Sequence, residues 1–515
     1  MQISSKVNSG CRLADVSFVA GYFKGHVPQL QTCDHPDAHT STPINTQSGN
    51  GISDLIRVIA GTSRVASKTK GTAFTERFCF GYGEPLARKN VAGSLGLSAV
   101  TAIGVGGMIG GGIFAVLGLA ISVSGHAVAL TMAVGGLIAL LTGLSYAQMG
   151  LKFRGDGGSF TYVQKGFPEP AIAGVAGWLL MAGYVGTLAL YATAFGDYGA
   201  TLIGGQHPVV WITRALAASG LLIFLGINLL GAKLSGGVEL TVVAIKLTIL
   251  ALFVAVGLWG IDLAHFQPVF NHGVMSSLAA VGLIFVAYEG FELIPNAVDE
   301  MKDATKDLRP AIVIAILLTT LLYILVAIAA VGNLTLIQIQ KDQEYVLAVA
   351  AQPKLGHLGF VMIGVAAVLS TASAINATLF GAGRLARVMA TEGALPDVFT
   401  RESSKRRVPY ASLLVLTGLA LLFTLLAHLE LISVFASATF LLIFLAVNVA
   451  ALRLAKEIKL HWGFPAAGAV MTAASFCVLI WHMWTSSRVN LYWLAAFYAI
   501  AIVGQLALQW RRRRG

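Results

Sequence analysis

Residues Gly104–Phe114 read G-V-G-G-M-I-G-G-G-I-F and lie inside an apolar run from about Val91 to Val123. Six glycines fall within the nine positions Gly104–Gly112. Each glycine costs a helix about 1 kcal/mol relative to alanine. In hydrocarbon, each freed backbone N–H and C=O must also find a partner inside the protein. Two uses fit such a run. One is a close helix-packing face of small residues. The other is a helix that unwinds at the bilayer midplane and presents bare backbone to a ligand.

Working outward, the chain of 515 residues is 56% hydrophobic and only 11% charged, the composition of a membrane protein. Twelve apolar spans are predicted, at about 93–121, 127–151, 171–203, 208–230, 235–258, 274–298, 311–332, 357–389, 409–427, 431–453, 463–484 and 490–510. The third is expected to extend back to Ser159. Span 6 holds F-V-A-Y-E-G-F-E-L-I-P-N-A, Phe285–Ala297, with a glycine, two carboxylates and a proline in mid-span. The first span of each five-span half is therefore interrupted. Matching interruptions point to a transport site between inverted repeats, which favours the unwound reading of Gly104–Phe114.

Basic residues set the orientation. With the N-terminus inside, 22 Lys/Arg fall on inner loops and ends and four, Arg214, Lys341, Lys354 and Arg488, on the outer side. Both termini are then cytoplasmic, and the net charge of +11 follows from topology without a nucleic-acid partner. The Arg511–Arg514 tail suits anionic lipid. Residues 1–86 are polar and irregular and are expected to be a disordered cytoplasmic tail. Its apolar patch Leu13–Tyr22 is broken by Asp15, and a weak amphipathic turn is expected at Ile52–Ile59. No Met stands between Met1 and Met108, so a downstream non-AUG start and a regulatory tail are the alternatives. Cys11, Cys33, Cys79 and Cys477 have neither disulfide-framework nor metal-site spacing. No Walker A sequence and no nucleophile elbow occur, so neither ATP-driven transport nor catalysis is expected.

The glycine run resembles that of the amino acid–polyamine–organocation superfamily, and four later blocks do as well. These are Tyr146–Tyr162 (Y-A-Q-M-G…G-D-G-G-S-F-T-Y), Phe285–Ile312 (F-V-A-Y-E-G-F-E…D-E-M-K-D-A-T-K-D-L-R-P-A-I), Asn376–Pro396 (N-A-T-L-F-G-A-G-R-L-A-R-V-M-A-T-E-G-A-L-P) and Val408-Pro409. The resemblance covers about residues 90–455. It implies an all-α membrane protein with a five-plus-five inverted-repeat core over 87–455, helices 1 and 6 unwound at midplane, and two further spans in 456–515. It further implies a transporter of amino acids in the cell membrane, working by alternating access with a coupling proton and no cofactor. Oligomeric state is left open, a homodimer included.

By this resemblance the span 1 break, Met108, Ile109, Gly110, Gly111, Gly112 and Ile113, binds a substrate carboxylate, as free N–H groups at a half-helix N-terminus suit an anion. The span 6 break, Val286, Ala287, Tyr288, Glu289 and Gly290, offers carbonyls to a substrate amine. Asn376 and Thr378 complete the substrate set. Tyr288 reads as a gate, a stacking ring or a packing aromatic. Glu289 departs from the apolar residue common at its place. A carboxylate there attracts a cation, takes the coupling proton or bonds the unwound backbone. Glu292 matches the superfamily's acidic position after the break and is a candidate proton site.

Lys246 lies about eleven residues from each end of span 5, roughly 16 Å from either surface at 1.5 Å per residue. Its stem cannot reach water, and an ionisable residue at that depth is a functional candidate. Desolvation disfavours the charged form of an amine, which suits proton coupling. The alternative is a fixed strut between spans 1 and 8. Ser370 and Ser373 are its expected neighbours. Glu239, two turns away, is either a proton relay or a hydrated interface residue. Asp197 is expected to be solvated in an outer vestibule. Asp299, Glu300, Lys302 and Lys306 are expected to form an inner charge network. The rival readings are a carrier of an inorganic cation or polyamine on the same fold, and a non-transporting nutrient sensor.

Overall fold

The computed structural model describes residue 93 and residues 95–514, apart from 156, 206–207, 232–235, 260, 262–265 and 404–407. The expected tail, with its patch at 13–22 and turn at 52–59, lies outside the described residues, as does the Glu239 side chain. Among the described residues the chain is helical, with a short parallel bridge between Leu95 and Met301. Ten helical stretches are long and apolar enough to cross a membrane. Helices suit that task because they close their own backbone hydrogen bonds.

In order, the α-helices are α1 (Leu97–Met108), α2 (Gly112–Ser124), α3 (Val128–Lys152), α4 (Gly158–Gly166), α5 (Pro170–Gly204), α6 (Val210–Leu229), α7 (Gly236–Gly257) and α8 (Val274–Ile284). Then follow α9 (Ala304–Asn333), α10 (Leu336–Lys341), α11 (Val346–Thr391), α12 (Tyr410–Leu426), α13 (Leu429–Arg453), α14 (Gly463–Ser486) and α15 (Arg488–Arg514). Tight 3₁₀ turns cover Phe285–Tyr288 and Phe291–Glu300.

Three boundaries differ from expectation. The N-terminal extension of span 3 is a separate helix, α4. Phe167 and Glu169 precede Pro168 and Pro170, and a residue before proline is driven out of the α region. Both are extended, with ψ of 123° and 114°. Span 8 is preceded by helix as well, because α11 begins at Val346 and bends at Gly356, whose φ is 61°. The segment before it, read as loop, holds α10 under a Thr335–Gln338 capping box.

The most extensive helix packing is α3 on α9, α5 on α11 and α5 on α13, and α6 also packs on α12. The apolar window of α13 is 78% buried, as is that of the stretch Val274–Glu300, whereas α14 and α15 bury 22% and 17%. The last two therefore line the outside of the bundle. In the core, Tyr146, Phe291 and Phe444 meet ring to ring at 5.2–5.6 Å, and Asn448 of α13 ties Ser145 and Thr142 of α3 at 2.8 and 2.9 Å. On one rim, Asp303 caps α9 by accepting the Lys306 N–H and also pairs with the Lys306 ammonium at 3.0 Å. The Thr305 hydroxyl, followed by Lys306, holds the Asp303 carboxyl below its usual range. Of the expected charge network, Glu300 and Lys302 contribute main chain, their C=O and N–H bonding Leu95.

Candidate functional site

Two breaks in helical geometry face each other. The first runs from Ile109 (φ −81°, ψ 44°) to Gly111, where α1 stops and α2 starts with no side chain capping its N-terminus. The first-turn N–H groups of α2 are therefore left without intrahelical partners. In the second, Glu289 is extended (φ −60°, ψ 142°) and Gly290 has φ 125°, a value that L side chains rarely adopt. The two backbones nearly touch. A Cβ on Gly290 would stand 2.5 Å from Gly107 C and Met108 N, and one on Gly112 would stand 2.6 Å from Ala287 Cα. Glycine at 107, 112 and 290 is what lets the breaks meet.

Side chains from four other helices bond the carbonyls near both breaks. Lys246 Nζ of α7 donates to the Gly106 carbonyl at 2.8 Å, and Ser370 Oγ of α11 to that of Ile109 at 2.6 Å. The Tyr323 hydroxyl of α9 lies 2.6 Å from the Met108 carbonyl and 3.0 Å from that of Ala287, so a single proton serves both breaks. Ser437 of α13 donates to the Leu283 carbonyl at 2.6 Å and accepts the Val286 N–H at 3.0 Å. Tyr323 and Ser437 were not among the expected site residues.

A small cavity of about 60 Å³ adjoins the breaks. Gly106, Gly107, Tyr184, Tyr191, Glu289 and Gly290 line it, with Ser373 and Thr378 of α11. Of the expected set, Glu289, Gly290, Ser373 and Thr378 are thus brought together. Met108, Ile109 and Gly110–Ile113 form the break yet do not line this cavity. The Tyr191 ring covers Gly110 and Gly111, so a Cβ on Gly111 would run into that ring and into Thr371 rather than into open space. Val286 and Ala287 are fully buried beside the cavity. Tyr288 is packed, its hydroxyl donating to the Met132 carbonyl at 2.6 Å. Asn376 turns to α6, where it accepts from Asn228 at 2.9 Å.

The buried charges have local partners. Glu289, 4% exposed, accepts the Thr187 hydroxyl of α5. Glu292, 3% exposed, accepts the Gly290 N–H at 2.6 Å, while its other oxygen has no hydrogen-bond partner among the described residues. Lys246 is wholly buried. Asp197 corrects the expectation of a solvated side chain: it is 8% exposed, and its Oδ2 is unpartnered among the described residues.

A family model described as amino acid permease matches residues 95–506. The inner membrane transport protein YbaT of Escherichia coli is 30% identical over 417 residues, 81% of this chain and 96% of the relative. The methylthioribose transporter of Bacillus subtilis is 26% identical over 440 residues, covering 80% and 92%. The branched-chain amino acid permease BcaP of the same organism is 26% identical over 340 residues, covering 63% and 72%. With that model spanning both breaks and the cavity, the chain belongs to the amino acid permease family, within the amino acid–polyamine–organocation superfamily, and is a multi-pass membrane transport protein rather than an enzyme.

Proposed function

We propose that this permease is a secondary active transporter that carries amino acids across the cell membrane by alternating access, coupled to protons. The observation that carries the reading is the meeting of two helix breaks beside one cavity. Backbone released from helical bonding inside a membrane protein is tolerated where it is buried or lines a cavity, and it can then serve as ligand-binding surface. The uncapped first turn of α2 suits an α-carboxylate once the Tyr191 ring that covers Gly110 and Gly111 moves aside, and carbonyls between Ala287 and Gly290 suit an α-ammonium.

The repeat architecture belongs to the same reading. The 41-residue apolar stretch Gly112–Lys152 is about twice a bilayer at 1.5 Å per residue. It turns back at Gly125, where φ is 61°. Thus α2 completes span 1 begun by α1, α3 is span 2, the seventeen-residue α12 is span 9, and twelve crossings result. The packed pairs α3–α9, α5–α11 and α6–α12 are then spans 2 and 7, 3 and 8, and 4 and 9, the pairing of two five-span halves. Both termini lie in the cytoplasm by the excess of inner Lys/Arg. Lys246 and Glu292 are the groups through which proton movement would be coupled.

The test is uptake by proteoliposomes from a mixed amino acid pool, with and without an imposed pH gradient. At least one amino acid should accumulate above its external concentration, and that excess should vanish without the gradient. Entry that only equilibrates removes the coupling, and the absence of both uptake and exchange removes the transport reading.

A further inference from the structure

We propose that the cavity takes a cationic amino acid, one whose side chain ends in an ammonium or guanidinium, and that Glu289 with Tyr184 and Tyr191 holds that charge. The proposal rests on the transport reading and adds the substrate class to it. Tyr184, Thr187 and Tyr191 are spaced by three and four residues along α5, which puts them on one helix face. That face meets the span 6 break: both tyrosines line the cavity with Glu289, and the Thr187 hydroxyl donates to the Glu289 carboxylate. Neither tyrosine nor Thr187 was expected from the sequence.

The electrostatics point to a positive ligand. Glu289 is almost fully buried, and none of the ion pairs among the described residues includes it. One hydroxyl does not offset the desolvation of an ionised carboxylate, so Glu289 buried in this way either holds a proton or pairs with a cation. Glu292, three residues on, adds a second buried carboxyl, one oxygen of which accepts the Gly290 N–H while the other has no hydrogen-bond partner among the described residues. Lys246 holds the Gly106 carbonyl across α1. A substrate cation in the cavity supplies the missing countercharge. The aromatic rings of Tyr184 and Tyr191 in the cavity wall are a surface to which an ammonium or guanidinium is attracted. Leu293 and Ile103 give the wall an apolar side suited to the alkyl stem.

The experiment compares radiolabelled lysine, arginine and norleucine in proteoliposomes of the full chain. Norleucine keeps the four-carbon stem of lysine and lacks its ammonium. The wild type should prefer lysine over norleucine by at least about tenfold, the discrimination expected of a site built around a polar group. Glu289→Gln should lose at least about tenfold of the preference for lysine over norleucine, and Glu289→Asp should keep part of it. Equal wild-type uptake of lysine and norleucine overturns the proposal without any variant. So does a Glu289→Gln protein that still prefers lysine. Uptake of neutral amino acids alone sinks this proposal and leaves the transporter reading. No uptake or exchange of any amino acid sinks both.

Discussion

Lys246 combines complete burial with a place eleven residues into the 22-residue α7, and its ammonium holds a carbonyl in the last turn of α1, just before the break. A fixed strut and a group that gains and loses a proton both fit that bond, and they differ in what arginine does. Arginine stays charged at any working pH, so it can replace a strut and cannot replace a titrating amine. Lys246→Ala should abolish the pH dependence of uptake between about pH 5 and 8, and Lys246→Arg should fail to restore accumulation against a gradient. Uphill, pH-dependent uptake by the arginine variant would leave the strut. Lys246 was legible in the sequence because a cation far from either membrane surface has few structural excuses. Tyr323, Thr187 and Ser437 were not. Hydroxyls in apolar helices commonly turn back to their own backbone, as Thr371 and Thr439 do to Ala367 and Phe435. Nothing in the local sequence tells which hydroxyl reaches another helix instead.

Among the elements, the two interrupted spans were readable from glycine density and from the proline after Gly290, while the exact residues facing the cavity were not. Met108–Ile113 was expected to line it, yet Gly106 and Gly107 do, because Tyr191 from α5 lies over Gly110 and Gly111. That depends on how α5 packs, a long-range fact. The break also permits a sharp test by glycine replacement. Gly290→Ala combines a positive φ with a Cβ driven against Gly107, and should weaken substrate binding at least about tenfold and lower the melting temperature. Gly226→Ala, in the last turn of α6 with nothing within 4 Å, should leave both unchanged or raise stability slightly. Thermal unfolding and equilibrium binding on both purified variants check this. Equal behaviour of the two would mean that the close approach of the breaks is not needed for binding. The short helix α10 and the helical lead into Gly356 were missed because six to ten residues carry too little periodicity to distinguish them from loop.

At the scale of the molecule, orientation rests on the counted asymmetry of basic residues, and labelling tests it. In a cysteine-free background, a cysteine placed between residues 262 and 272 should react with an impermeant maleimide added outside, and one between 402 and 406 should not. The reverse pattern would exchange every inner and outer face. That the chain crosses a membrane many times was legible because apolar runs of bilayer length are hard to hide. Which helices pack on which was not legible, since packing partners leave no mark in a single sequence. The carbonyls of the first break also set a schedule. Gly106 waits for a lysine 140 residues later, Met108 for a tyrosine 215 residues later and Ile109 for a serine 261 residues later. At a synthesis rate of about 5–20 residues per second, the last of these arrives roughly 13–50 seconds after the glycine run leaves the ribosome. Until then the run has no such partners, so it must travel as a plain helix or in company, and the break is a late product of biosynthesis.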